Sequence, residues 1–263
     1  MNIIVCLKQV PDTTEVRIDP VTNTLIRAGV PSIINPDDRN ALEQAIRIKE
    51  EKEDVTVTVL SMGPPQAEVA LKEALAMGAD EAILLSDRAF AGSDTWATST
   101  AIAAGVKKIG NYDIILCGRQ AIDGDTAQVG PQIAEHLGIP QITYVQELKI
   151  EKDKVIAKRA LEDGHFVVES SMPVLLTAIK ELNEPRYPSI KGIYEANKEG
   201  KVKVWSAEYV NADFDNLGLN GSPTKVNKSF TPSARSGEGE IFTGAAKDSV
   251  NSLVVKLKEK HFI

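Results

Sequence analysis

The chain has few of the side chains that do chemistry unaided. Its 263 residues include two cysteines and three histidines. Cys6 and Cys117 each lie in an apolar run, so they read as buried thiols of a reducing, cytoplasmic setting rather than as a disulfide. So few ligands, scattered along the chain, exclude zinc and iron–sulfur spacings. His136 falls on the outer side of a helix, His165 in a hairpin and His261 near the end. All three read as solvated, and no Ser-His-Asp or Cys-His arrangement can be drawn. The net charge of −7 argues against nucleic acid as the main partner, since phosphate-backbone binding takes clustered cations. No run approaches the length of a membrane span, and the start lacks a signal-peptide core. The Gly-x-Gly-x-x-Gly and Gly-x-x-x-x-Gly-Lys phosphate patterns are missing. The first turn, Lys8-Gln-Val-Pro-Asp12, also lacks the Ser-Gly-Gly-x-Asp-Ser loop of ATP pyrophosphatases. Any chemistry must therefore come from a bound cofactor, with no catalytic side chain of the chain's own.

What is present is an ordinary globular composition, 43% hydrophobic and 25% charged, long enough for a real core. Strands are expected at residues 2–8, 55–60, 82–85 and 114–117, each a short apolar run. Helices are expected at about 35–50, 67–77, 94–109 and 126–137. Pro36 suits the start of the first, Asp94 is a candidate cap, and Gly138 and Pro140 stop the last. A small hairpin is expected within 16–27. Four successive βα units of this length imply a parallel, doubly wound sheet with helices on both faces. After Pro140 an antiparallel meander is expected (145–150, 155–160, 166–170), then a buried strand at 173–178 that returns to the sheet. A turn-rich loop at 182–188, a helix at about 190–197 and a strand at 201–205 follow. Residues 207–240 carry little apolar density and read as a linker or an arm over another protein, leading to an amphipathic helix at 249–260. The division is therefore an α/β domain over 1–206 and an arm plus helix over 207–263.

Ligands of such sheets bind beyond the carboxyl ends of the strands, at the switch in strand order. Four segments can meet there: Cys6 to Val10, Asn35 to Asp38, Met62 to Pro65, and Gly118 to Gly130. The last empties a strand through a polar loop into a helix N-terminus, a standard place for a phosphate. Thr126, Gln128 and the local N–H groups suit phosphates. Asp123 and Asp125 suit ribose hydroxyls or a helix cap, and an ordinary capped turn is the alternative.

The chain resembles the beta (small) subunit of the electron-transfer flavoproteins over nearly its whole length. The resemblance rests on Val5-Cys-Leu-Lys-Gln-Val-Pro-Asp12, Ile34-Asn-Pro36, Ala74-Leu-Ala-Met-Gly-Ala-Asp80, Gly118-Arg-Gln-Ala-Ile-Asp123 and Leu182-Asn-Glu-Pro-Arg-Tyr187. It continues through Lys158-Arg-Ala-Leu-Glu-Asp-Gly164 to Pro173-Val-Leu-Leu-Thr177 and Val254-Val-Lys-Leu-Lys258. It implies an adenine-nucleotide alpha-hydrolase-like sheet with an antiparallel hairpin addition and a C-terminal arm. It also implies a heterodimer with a larger alpha subunit that carries FAD. Carried over position by position, the nucleotide contacts are Cys6, Asn35, Pro36, Asp37, Asp38, Met62, Ala121, Ile122, Asp123, Gly124, Asp125, Thr126, Ala127, Gln128, Val129, Gly130, Pro131 and Gln132. The segment from Tyr187 through Ile190 and Ile193 to Tyr194 matches the loop that grips partner acyl-CoA dehydrogenases, with Ile190 as its apolar anchor.

Respiratory members hold AMP and read Ala-Ile-Asp-Asp-Asp-Cys-Asn-Gln-Thr-Gly at the loop. This chain reads Ala121-Ile-Asp-Gly-Asp-Thr-Ala-Gln-Val-Gly-Pro131, similar to the electron-bifurcating members that hold a second FAD. Gly124 and Ala127 lack bulk and would let a pyrophosphate continue toward a flavin. That group takes a hydride from NADH and sends one electron to ferredoxin or flavodoxin. The other goes through the alpha-subunit FAD to an acyl-CoA dehydrogenase. A structural AMP and, from another class, a stand-alone ATP-binding regulatory module are the alternatives.

Overall fold

The computed structural model describes residues 1–12, 31–227 and 239–263. The hairpin expected within 16–27 lies outside the described residues. The chain opens with β1 (Asn2–Cys6), followed by β2 (Gln9–Pro11) and β3 (Ser32–Ile34), which pair antiparallel as a two-stranded sheet. Then come α1 (Pro36–Glu51), β4 (Thr56–Met62), α2 (Glu68–Met77), β5 (Glu81–Leu85), α3 (Thr95–Ile109), β6 (Ile114–Gly118) and α4 (Val129–Leu137). The meander is β7 (Gln141–Glu151), β8 (Lys154–Leu161) and β9 (Gly164–Ser171), and β10 (Val174–Ala178) follows. The rest comprises α5 (Ile190–Ala196), β11 (Val202–Trp205), α6 (Gly218–Gly221) and α7 (Ala246–Glu259).

The main sheet has nine strands in the order β11-β5-β4-β1-β6-β10-β7-β8-β9. All neighbours from β11 to β7 run parallel; β8 and β9 close the sheet antiparallel. The expected mostly parallel, doubly wound architecture with an antiparallel addition is what is found. Strand alternation divides the core between two layers. Ile3, Val5, Ile114, Leu116, Val174 and Leu176 face the layer of α1 and α2. Ile4, Cys6, Ile115, Cys117 and Leu175 share the other layer with Ile102, Val106 and Ile133 of α3 and α4. Each fully buried branched side chain contributes on the order of 1.5–3 kcal/mol, so these short runs alone fix which strands are central.

Two expectations change. α4 starts at Val129 rather than near Thr126, because Asp125 and Ala127 adopt left-handed backbone (φ 54° and 52°) that no helix continues. Residues 207–222 do not begin the arm. Ala207, Val210, Ala212 and Leu217 are buried in the core layer of α3 and α4, and the compact unit extends to Asn227. Small side chains such as Ala207 and Ala212 give that stretch its low apolar density, yet they are buried. Residues 228–263 form a second unit whose described part contains α7, with Val250, Leu253 and Val255 exposed.

Candidate functional site

The chain builds outward from β1 to β4 and β5 on one side, then crosses to β6 on the other, so the order switches between β1 and β6. A cavity of about 830 Å³ opens at the carboxyl ends of these strands. It is lined by Cys6 to Gln9 after β1, Met62 to Pro65 after β4, Ser86 to Thr95 (except Ala89) after β5, and Cys117 to Gly130 (except Ile122 and Asp123) after β6. Ile102 and Ile133 add apolar surface from α3 and α4.

Eleven of the nucleotide contacts carried over from the family line it: Cys6, Asp38, Met62, Ala121, Gly124, Asp125, Thr126, Ala127, Gln128, Val129 and Gly130. Asn35, Pro36, Asp37, Ile122, Asp123, Pro131 and Gln132 are not among the lining residues. Lys8, Arg119, Gln120 and the whole lobe from Ser86 to Thr95 were absent from those contacts. The placement rule could have found that lobe, because β5 ends on the same edge beside β4.

Polar contacts behind the lining shape the β6–α4 loop. Asp38 is buried, and its two carboxylate oxygens accept the backbone N–H groups of Lys8 and Gly118, both at 2.8 Å. Burial pushes its carboxyl up to about 7, against the pull of those two N–H donors and of Asn35. Gly118 is required here, since a Cβ would lie 2.4 Å from Asp38 Oδ1 and 2.6 Å from the Asp38 backbone nitrogen. Asn35 donates from Nδ2 to the Gln120 carbonyl (2.8 Å) and accepts at Oδ1 from the Ile122 N–H (3.0 Å). Its own N–H donates to the Lys8 carbonyl at 2.9 Å. The Lys8 ammonium meets Asp123 at 2.6 Å, Arg119 pairs with Asp37 at 3.4 Å, and Gln120 donates to Asp125. Asp125 is therefore engaged within the loop. The residue before α4 is Gln128, and no side chain caps that helix. Val129 and Gly130 of its first turn line the cavity with the positive end of the dipole behind them, and Pro131 has no N–H to give.

The remaining walls are also fixed. Asp94 caps α3, accepting from Ala97 N–H at 3.0 Å and from the Thr224 N–H and hydroxyl at 3.0 and 2.8 Å. Burial works against its charge, but these bonds prevail and hold the carboxyl below its usual range. Gly130 lets α4 approach the sheet, because a Cβ would lie 2.8 Å from Thr177 and 2.9 Å from the Cys117 sulfur. Both cysteines are free; burial, with Asp38 nearby, pushes Cys6 up to about 12 and raises Cys117 too. Neither offers a thiolate at neutral pH. Among the described residues no cluster of His, Cys, Asp and Glu could hold a metal, and no helix is long and apolar enough to cross a membrane.

His136 departs from its expected solvated state. Its Nε2 lies 3.2 Å from Thr100 Oγ1 and 3.1 Å from Ser99 Oγ, and its ring packs tilted against Trp96, with centroids 4.5 Å apart. Burial, then Lys107, lowers its pKa. It locks α3 to α4.

The residues expected to meet a partner form an exposed surface. Tyr187 and Ile190 are 90% and 88% exposed, and Ile193 and Tyr194 lie beside them in sequence on α5, also exposed. The stem beneath is tied to α1 by ion pairs and hydrogen bonds. Arg186 donates to Glu43 (2.8 Å from Nε) and to Glu50 (2.5 Å from Nη1), and Arg47 reaches Glu43 at 2.7 Å. Burial raises the Glu43 carboxyl, but Arg186 and Arg47 outweigh it and bring it below normal. Asn40 donates to the Asn183 carbonyl at 2.7 Å. On α5 a Cβ at Gly192 would lie 2.2 Å from the Ala76 carbonyl of α2, so the two helices pack at backbone distance.

The fold is a doubly wound α/β architecture with a sizeable crevice at its switch point. The sequence model of the electron transfer flavoprotein domain matches residues 22–209. The chain is 64% identical over 263 residues to the electron transfer flavoprotein subunit beta of Thermoanaerobacterium thermosaccharolyticum, covering 100% of each. It is 57% identical over 264 residues to the caffeyl-CoA reductase-Etf complex subunit CarD of Acetobacterium woodii, covering 100% of each. It is 49% identical over 271 residues to the acryloyl-CoA reductase electron transfer subunit gamma of Anaerotignum propionicum, again covering 100% of each. The chain belongs to the electron transfer flavoprotein family, and its resemblance to the beta subunit holds.

Proposed function

We propose that the chain is the beta subunit of a heterodimeric, electron-bifurcating flavoprotein working in the cytoplasm, with FAD in the β1/β6 crevice and NADH as donor. The observation that carries this reading is the extent of the crevice. It runs from the uncapped end of α4, past Gly124, into the lobe of Ser86 to Thr95. At about 830 Å³ it lies toward the upper end of small-molecule sites. An adenine mononucleotide would leave much of that volume empty. A Cβ at Gly124 would meet nothing within 4 Å, which supports an open passage there.

The chain's residues fit such a cofactor. The N–H groups at the start of α4, with Thr126 and Gln128, suit the pyrophosphate. Phe90, Ile102, Ile133 and the proline pair Pro64-Pro65 offer apolar walls to a ring system. Bound there, FAD supplies hydride acceptance from NADH, with one electron passed to ferredoxin or flavodoxin and one through the alpha-subunit FAD to an acyl-CoA dehydrogenase. The protein's part is to bind, orient and desolvate, and no side chain is assigned a bond-making role.

Two relatives are named for CoA-ester reductases, which supports an acyl-CoA partner. Tyr187, Ile190, Ile193 and Tyr194 supply its docking surface, and the segment after Asn227 with α7 supplies the arm toward the alpha subunit. Quantifying FAD and AMP in the purified heterodimer tests the reading. Two FAD per heterodimer, bleached by NADH, is expected. One FAD with released AMP would replace it with the AMP-holding carrier, and a homo-oligomer lacking any larger flavoprotein subunit would overturn both.

A further inference from the structure

We propose that Asn35 and Asp38 are positioning residues: from the start of α1 they mould the backbone of the β6–α4 loop into the shape that receives the crevice cofactor. This rests on the crevice being the cofactor site, as proposed above. The family resemblance assigns both residues to the cofactor itself, yet the hydrogen bonds of their side chains run to backbone groups of the loop and of Lys8, with Asn35 also turned to the Asp38 carboxylate. The Asn35 amide spans Gln120 and Ile122, donating to one carbonyl and accepting from the N–H two residues on. A neighbouring β-strand would do the same, so one side chain acts as a single rung of ladder for a loop that has no strand beside it. Both functions are needed on one planar group, since a carboxylate at position 35 would face the Gln120 carbonyl with no proton to give. Asp38 presents the complementary case. It faces two N–H groups, of Lys8 and Gly118, and two acceptor oxygens answer them. An amide there would set an N–H against an N–H.

The loop needs such a frame. It contains two non-glycine residues in the left-handed region, Asp125 and Ala127, and such conformations persist only where the surroundings over-determine them. Lys8, which closes onto Asp123, is itself held through its N–H by Asp38 and through its carbonyl by the Asn35 N–H. The frame thus ties the end of β1, the start of α1 and the exit of β6 into one unit.

The near-isosteric swaps Asn35→Asp and Asp38→Asn test this in the full heterodimer. Amide hydrogen exchange is read on cofactor-stripped protein, and release of the crevice nucleotide on loaded protein, both at a pH above 7 where Asp38 is ionised. Each swap should speed exchange over residues 118–123 by about tenfold or more, with the inner residues of β1 and β6 unchanged. Nucleotide release should accelerate by a similar factor. Unchanged exchange over 118–123 in both variants would overturn the proposal. So would a uniform rise across the sheet, which assigns the pair to global stability, or faster loop exchange with unaltered release. A wild-type heterodimer without any crevice nucleotide would instead sink the functional reading, while the exchange arm would still report on the frame.

Discussion

Consider Arg186→Ala, which removes the guanidinium that pins the 182–188 loop to α1. Arg186 meets Glu43 through Nε (2.8 Å) and Nη2 (3.2 Å), and Glu50 through Nη1 (2.5 Å) and Nη2 (2.8 Å). The Glu43 side chain is 3% exposed, Arg186 31% and Glu50 57%. An exposed pair such as the Glu50 half contributes about 0–1 kcal/mol. Breaking a fully buried pair costs about 3–5 kcal/mol, because the surviving charge is stranded. Here the stranded Glu43 keeps Arg47 at 2.7 Å, so the expected loss lies between these limits, at about 2 kcal/mol. Urea unfolding of wild type, Arg186→Ala, Glu43→Gln and the double variant measures it, with an expected coupling of about 1–2 kcal/mol between the two sites. Additivity within about 0.3 kcal/mol, or a single-variant loss below about 0.5 kcal/mol, would refute the view that this cluster holds the loop.

Asp38 gives a pH dependence. Its folded pKa of about 7 lies above the ordinary 3.8, so the native state keeps a proton that the unfolded chain has lost between those values. Stability should therefore fall as pH rises through that window, by up to about 4 kcal/mol, and flatten above it. Denaturant unfolding from pH 4 to 8 should show that slope in wild type and not in Asp38→Asn; equal slopes would refute it. Gly118→Ala drives a Cβ into the Asp38 carboxylate and backbone, which should cost about 1–3 kcal/mol and the crevice nucleotide, read by melting temperature and cofactor content. Ile190→Asp, at an exposed position, should leave stability within about 0.5 kcal/mol while weakening capture of the proposed acyl-CoA dehydrogenase partner by about 2 kcal/mol or more, measured by titration calorimetry.

The parallel sheet was legible because buried strands must be short apolar runs, and 3–6, 57–60, 82–85 and 114–117 are little else. The crevice was legible only as far as the placement rule was applied. The expectation takes in the strand ends after β1, β4 and β6 and omits the Ser86 to Thr95 lobe after β5. Contacts across long sequence distances were not legible at all. Nothing local marks Asp38 as the partner of Gly118, 80 residues away, or Glu43 as that of Arg186. His136 read as solvated because its own helix places it outward; what covers it, Trp96 and Ser99, comes from α3. Residues 207–222 misled because burial depends on fit as much as on hydrophobicity, and Ala207 and Ala212 carry little of the latter.

α1 holds the crevice loop through Asn35 and Asp38 at its start, and the 182–188 loop through Asn40, Glu43, Arg47 and Glu50 along its length. The two are therefore not separable modules. A chimera that exchanges residues 182–194 alone for those of a relative with another partner would import a loop cut off from its anchors. One that also exchanges 40–50 would carry the fastening with it while leaving Asn35 and Asp38 in place. The seam for re-targeting the subunit falls inside a helix, between its first and second turns, and not at either loop.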